Sequence, residues 1–328
     1  MQASRLAAAE RWLATLLVSF AATAVFAAPK ASWTIEDVGQ LGDGGSRATV
    51  INERGDVAGL SFKNLFNHTF LYRDGQLTDI GVPPGSPGAQ VEGINNRGDM
   101  VIEGNNQHVF LWSRGDWTEL PFLGQPNDIN NAGAIVGAYN VGAANIPHAF
   151  LYQDGVFHDL GLDGGTATVA WAINDAGTIA GTKYSNGFGT THAFIYQDGG
   201  YKDLGTLGGN SSSAADINAS GTVVGASQKA DGNYVAMIYD AAGMRPLFDV
   251  PGFSSALAIN DRGTVVGTYA QGSFMYQDGV LTNLNTLPEV QAAGWIRLFP
   301  QEINNRGWIV GWGQHADFSV TGFVLKPK

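Results

Sequence analysis

Cysteine is missing from all 328 residues, which excludes disulfides and leaves apolar burial as the source of stability. Charge is sparse as well: Asp, Glu, Lys and Arg make up 14% of the chain, where about 25% is usual. The shortage falls hardest on the basic side, with 18 Lys and Arg against 29 Asp and Glu and a formal charge of −11. That sign argues against nucleic acid as a partner. No Gly-x-Ser-x-Gly elbow, His-Glu-x-x-His pair or phosphate-binding glycine loop occurs, so the common motifs of serine hydrolases, zinc proteases and nucleotide enzymes are lacking. Glycine is what the chain has in excess: 45 residues of 328, against a usual share of about 7%. A glycine-rich, weakly charged chain suits tight turns between buried strands.

The only long apolar stretch lies at the start. Arg5 and Arg11 precede an apolar run from Trp12 to Val25, and small residues follow before Pro29. This is the pattern of a secretory signal cut after Ala27. The run is short for a bilayer span of about 20 residues, and no later segment matches it. Residues 1–27 are therefore expected to be a signal peptide and 28–328 a single exported domain with no membrane span, periplasmic or secreted. Without Arg5, Arg11 and Glu10, 16 basic and 28 acidic residues remain, a formal charge of −12.

Self-similarity runs through the rest. Ile-Asn-x-x-Gly occurs seven times, with asparagine at Asn52, Asn95, Asn130, Asn174, Asn218, Asn260 and Asn304 and glycine at Gly55, Gly98, Gly133, Gly177, Gly221, Gly263 and Gly307. The spacing is about 40 residues, which is the signature of a repeat architecture. A second motif follows each copy: His68-Thr-Phe-Leu-Tyr, His108-Val-Phe-Leu-Trp, His148-Ala-Phe-Leu-Tyr and His192-Ala-Phe-Ile-Tyr, with weaker copies beginning at Val235, Gly272 and Thr321. A third, ending in Asp-Ile-Gly or Asp-Leu-Gly, closes at Gly81, Gly161 and Gly205.

In the first motif the asparagine folds back on its own backbone while the glycine takes positive φ, which makes a tight hairpin. Gln153-Asp154-Gly155 sits between two short runs of aromatic and branched residues and reads as a second hairpin. Only Asn105, Asn106 and Gln107 separate Gly104 from His108, and so short a link joins neighbouring antiparallel strands. Each repeat is thus a four-stranded meander, the layout of a propeller blade. Trp33 to Gly39 is an Asp-Leu-Gly strand without a predecessor, and the last unit stops at Leu325 without a successor. Pairing the two completes the last blade and removes the free sheet edge of an open array. The expected fold is all-β: a seven-bladed β-propeller of four-stranded antiparallel blades, its last blade closed by the N-terminal strand.

From Trp33 to Leu325 the sequence resembles the HAF-repeat family of extracellular bacterial repeat proteins. The resemblance rests on His148-Ala149-Phe150 and His192-Ala193-Phe194, on Asp203 to Gly209, and on Ala215-Asp216-Ile217-Asn218. Units five to seven lack the histidine. The resemblance implies an exported bacterial repeat protein and brings no established reaction or catalytic residue.

Four candidate sites follow from the pattern. His68, His108, His148 and His192 share one repeat position, but ligands spread around a ring stand too far apart for an ion that needs donors at about 2 Å. Each histidine is expected to tie a loop or a neighbouring blade. The stretches beginning at Asp128 and Asp216 have calcium-loop spacing, yet apolar residues occupy the place of the closing carboxylate; no metal and no cofactor is expected. Arg54, Arg97, Arg262 and Arg306 precede the turn glycine and could form a cationic ring at one mouth of the channel, or be solvated tips neutralised by nearby acids. Asp37, Asp79, Glu119, Asp159 and Asp203 recur at an outer-strand position, which suggests a structural part.

Binding sites on a repeat scaffold belong where the repeat is broken. The largest break is in the seventh unit, where Leu287 to Gln301 lengthens the crossover and adds Trp295 and Arg297, with Trp312 and His315 following. These four are the candidate ligand contacts; the competing reading has the aromatics packing the closing blade. The expected function is a non-catalytic binding scaffold, a monomer, for a glycan or an extracellular protein. The alternative is an exported polysaccharide hydrolase or lyase with acids at the channel mouth.

Overall fold

The computed structural model describes residues 32–161, 166–185 and 189–328. The expected signal peptide and its cleavage site lie outside the described residues.

The first repeat shows how this sequence makes a blade. Asn52 ends the first strand, Ser46–Ile51, and its Oδ1 accepts the backbone N–H groups of Arg54 and Asp56, both at 3.0 Å. Gly55, at φ +89°, completes a reversal that a side chain would strain. The chain returns as Val57–Lys63 and runs on through Phe66–Arg73 and Gln76–Gly81. All three junctions are antiparallel neighbours in chain order. A bulge between Ala48 and Val50 bends the first strand, and a bulge recurs at this place in every other unit. It explains the glycine of the Val-Val-Gly strand: a Cβ on Gly225 would collide with the Ser213 carbonyl oxygen opposite. The phenylalanine of His-Ala-Phe is buried in the six copies that have it, Phe70, Phe110, Phe150, Phe194, Phe274 and Phe323, and Met237 is buried in its place in the fifth.

The result is an all-β propeller of four-stranded antiparallel blades. Five blades are separate sheets: 46–81, 90–123, 125–159, 254–283, and 295–327 with the strand Trp33–Asp37. The expectation of seven separate four-stranded blades is corrected here, because 167–203 and 208–246, the fourth and fifth repeats, form one eight-stranded sheet. The physical reason is the reach of the ten-residue strand Gly208–Ile217, whose early part runs alongside the fourth repeat and pairs Ser211 in parallel with Thr191.

The two ends meet as the sequence implied. Trp33–Asp37 pairs antiparallel with Val320–Pro327, from Trp33 opposite Pro327 to Asp37 opposite Phe323. The lengthened seventh crossover contributes a short helix, Pro288–Ala292, whose Glu289 carboxylate accepts the Trp33 N–H at 3.1 Å. Leu287 and Val290 from the same insertion are buried in the core. That core divides, among the described residues, into seven apolar clusters, each shared by one repeat and the next. Among the described residues no helix is long and apolar enough to cross a membrane.

The seven turn asparagines close a ring. Each Nδ2 donates to the main-chain carbonyl of the next: Asn52 to Asn95 and onward through Asn130, Asn174, Asn218, Asn260 and Asn304, which returns to Asn52 at 3.0 Å. All seven are buried. Asn130→Ala removes the bond to Asn174 and strands the N–H groups of Ala132 and Ala134. It is expected to cost about 3 kcal/mol, read as a lower urea midpoint with an unchanged slope; a midpoint equal to the parent's would show that the ring does not stabilise the fold.

Candidate functional site

The four residues singled out in the seventh unit do not form one site. Trp295 is 3% exposed; its ring lies 3.8 Å from that of His315, and it fills the space beside Gly313. His315 contacts Thr321 Oγ1 at 3.1 Å and Asp37 Oδ2 at 3.3 Å, so both residues lock the closing strand. Trp312 stacks on Phe299 at 4.0 Å, with Arg47 4.6 Å from the Trp312 ring and Arg297 4.7 Å from the Phe299 ring. In this column the aromatic faces are already occupied, which leaves no open platform for a sugar.

The two motifs that looked separate in sequence, histidine and outer-strand acid, are partners. His68 meets Asp79 at 3.0 Å, His108 meets Glu119 at 2.6 Å, His148 meets Asp159 at 3.1 Å and His192 meets Asp203 at 2.9 Å. Each histidine therefore ties two strands of its own unit, not a neighbouring blade. The three aspartates also accept the glycine N–H two residues on, at Gly81, Gly161 and Gly205. Burial acts to raise Asp79 and Asp159, but hydrogen bonds from Lys63, His68 and the Gly81 N–H on the first, and from the Gly161 N–H, His148 and Tyr139 on the second, outweigh it and hold both below the usual carboxylate range.

A depression of about 280 Å³ opens on the axis, on the face that carries the asparagine turns. Its wall is built by the residue after each asparagine. The N–H of Glu53 donates to Asn96 Oδ1, that of Asn96 to Asn131, and that of Asn131 to Asp175. Ala219 donates to Asp261, Asp261 to Asn305, and Asn305 to the Glu53 carboxylate. One link is missing, from Asp175 to Ala219, because alanine has no acceptor to offer.

The floor holds Asp128, Asp216 and Glu302, which also line a second cavity of about 160 Å³ behind them. These acids stand two residues before alternate asparagines and bridge adjacent repeats. Asp128 accepts from Ile129 and Ile173, Asp216 from Ile217 and Ile259, and Glu302 from Ile51. Burial pushes Asp128 up to about 7 and Asp216 up to about 6, against the pull of those N–H groups. Glu302 is raised well above its usual range by burial, with Asp128 and Asp216 adding repulsion. In the cavity behind, Glu92 is pushed up to about 7 by burial and by Glu103, beside Trp171, which is 37% exposed.

Among the described residues no arginine lines this mouth, so the cationic ring considered above is not formed there. Arg54 pairs with Asp56 at 2.7 Å and Arg97 with Asp99 at 2.8 Å. The calcium-like stretches supply the bridging acids instead, and among the described residues no group of three or more His, Asp or Glu side chains is arranged to hold a metal ion. Sequence reasoning missed Glu53, Asp175, Asp261 and Glu302. The available signal was an acid at a fixed offset from the repeated asparagine; only closure of the ring brings such positions together.

The floor acids set a pH dependence. A carboxyl raised in the folded state holds its proton after the unfolded chain has lost it, so its contribution is full below about pH 4 and fades as pH rises through 6 to 7. Glu53, Asp175 and Asp261 face the same space and add no compensating cation. The thermal midpoint is expected to fall between pH 5 and pH 8, and in Asp216→Asn to fall less steeply over that range. A parent midpoint that rises over this range would refute the assignment.

No family model and no curated protein matches the chain. Solved structures match its shape. The β-propeller domain of the Trilobed protease from Pyrococcus furiosus, described as having an open velcro topology, has a TM-score of 0.61 at 10% identity and covers 87% of this chain and 94% of its own. YCF48 bound to D1 peptide has a TM-score of 0.58 at 12% identity, covering 93% and 97%. The extracellular domain of a one-component system from B. thetaiotaomicron has a TM-score of 0.56 at 11% identity over 89% of this chain, which spans 40% of that one. At these identities the likeness shows a propeller fold and nothing finer, and this chain differs from the first in closing its ring with Trp33–Asp37.

Proposed function

We propose that this chain is an exported, non-catalytic binding scaffold of the HAF-repeat type, and that its axial mouth receives a protonated amine or guanidinium group from a protein or glycan partner. The observation that carries this reading is the wall of Glu53, Asp175 and Asp261 above three half-buried acids, with no cation in the lining among the described residues. A concave site of one sign favours a ligand of the other. YCF48, a propeller of similar shape, is a peptide-bound structure, which supports a peptide as one form of partner. The ring itself counts as seven blades if the eight-stranded sheet is taken as two, and the seven-step asparagine ring supports that count. Export and bacterial family membership rest on the signal-like residues 1–27 and the His-Ala-Phe repeats.

The raised Asp128 and Asp216 favour one second reading, a polysaccharide hydrolase or lyase. Against it, both oxygens of each accept a backbone N–H and hold repeats together.

The test is retention of Lys- and Arg-containing peptides and of chitosan oligomers by the exported form, compared with the double variant Asp175→Asn and Asp261→Asn. Retention by the parent that weakens with salt and is lost in the double variant is the expected result. No retention of either class overturns the binding reading, and shortening of the chitosan during incubation replaces it with the hydrolytic one.

A further inference from the structure

Where the seventh repeat meets the first, on the face of the asparagine turns, lies a separate cavity of about 370 Å³. Arg54 and Arg73 line it from one side, and Arg306 and Lys326 from the other, with Trp308 between them. In a chain with 18 basic residues against 29 acidic ones, four cations in one cavity run against the trend.

Their internal pairing leaves donors over. Arg73 holds Asp56 through Nε at 2.5 Å and Nη2 at 2.9 Å, and Arg54 Nη2 reaches the same carboxylate at 2.7 Å. One acid thus serves two guanidinium groups. Lys326 pairs with Glu36 at 2.7 Å and sits 4.2 Å from the Trp308 ring. Arg306 lies 5.3 Å from that ring, and among the described residues its guanidinium has no carboxylate partner within ion-pair distance. Asp74, the other acid in the lining, is exposed at a turn tip.

The positions concerned are places where the repeat is broken. The residue after the turn glycine is Asp56, Asp99, Ala134, Thr178, Thr222 and Thr264 in the first six units, and Trp308 in the seventh. The residue that follows the second motif is Ser113, Gln153, Gln197, Asp240 and Gln277 in units two to six, but Arg73 and Lys326 in the two that flank this seam. Five units pack without a cation there, so blade packing does not require one.

We infer that the seam cavity is an oxyanion site, taking the sulfate, phosphate or carboxylate group of a small ligand, and that it works independently of the axial mouth. Arg306 and the unused edge of Arg54 offer paired N–H donors, and Lys326 adds a compact charge. Tyr72, Trp308 and Val324 supply the apolar part of the walls.

The experiment is titration calorimetry of the full chain at low salt with sodium sulfate, inorganic phosphate, trigalacturonate and, as the neutral control, maltotriose. Arg306→Gln is the informative variant because, among the described residues, no carboxylate lies within ion-pair distance of that side chain; Arg262→Gln, at the same repeat position outside the cavity, is its control, since both arginines act on Glu53 at longer range. Single-site binding of a charged probe is expected, weakened about tenfold or more by Arg306→Gln and by added salt, and unchanged by Arg262→Gln. A response to sulfate or phosphate assigns a tetrahedral anion, and one to trigalacturonate alone assigns a carboxylate. Absence of binding by any charged probe, or equal loss in the two variants with folding intact by circular dichroism, overturns the site.

Discussion

Each turn asparagine divides its amide between two duties, and the closed ring depends on both. The oxygen shapes the hairpin of its own repeat by accepting two N–H groups, as in Asn52 with Arg54 and Asp56. The nitrogen donates to the next asparagine's carbonyl. No shorter or apolar side chain performs the two together, and an aspartate in its ionised form would lack the donor. Because the groups are buried, an unmade bond costs more than a made one yields, so the last link, Asn304 to Asn52, is under the same pressure as the other six. Ring closure is therefore written into a local turn residue, and the strand Trp33–Asp37 completes at the rim what the asparagines begin at the axis.

The acids near the axis extend this logic. Asp128, Asp216 and Glu302 stitch one repeat to the next through isoleucine N–H groups, at every second repeat along the chain. Their elevated proton affinity comes first from burial, with repulsion among the gathered carboxylates adding to it. The outer acids have the opposite character: Asp79 and Asp159, each held by a histidine and a glycine N–H, stay ionised easily. Two sets of carboxylates on one scaffold are thus separated by environment alone.

Regular positions are occupied with structure, which leaves binding to the irregular ones. The seventh unit is the most irregular, and much of its irregularity serves closure: Glu289, Trp295 and His315 secure the incoming strand. What remains unexplained by packing is electrostatic. The axial mouth is acidic because substituents after the asparagines converge, and the seam is basic because Arg73 and Lys326 depart from the polar residues of the other units. Opposite charges on one face permit two ligands of different sign.

Blade structure and the pairing of the two ends were legible in sequence, because hairpin turns, strand alternation and a residual strand at each end are local signals. Residues such as Asn130, Gly133 and Phe150 carried them plainly. The fusion of the fourth and fifth repeats was not legible, since it turns on a single parallel pairing, Ser211 with Thr191, between two repeats. Nor were the sites: Trp295 reads either as a ligand contact or as packing of the closing blade until the fold buries it, and Arg54 and Arg306, 252 positions apart, meet only when the ring closes. Sequence alone determined the repeat and its turn chemistry, which depend on contacts within a few residues. The tertiary structure alone decided which charges share a space, because that depends on the geometry of closure, where residues distant in the chain become neighbours.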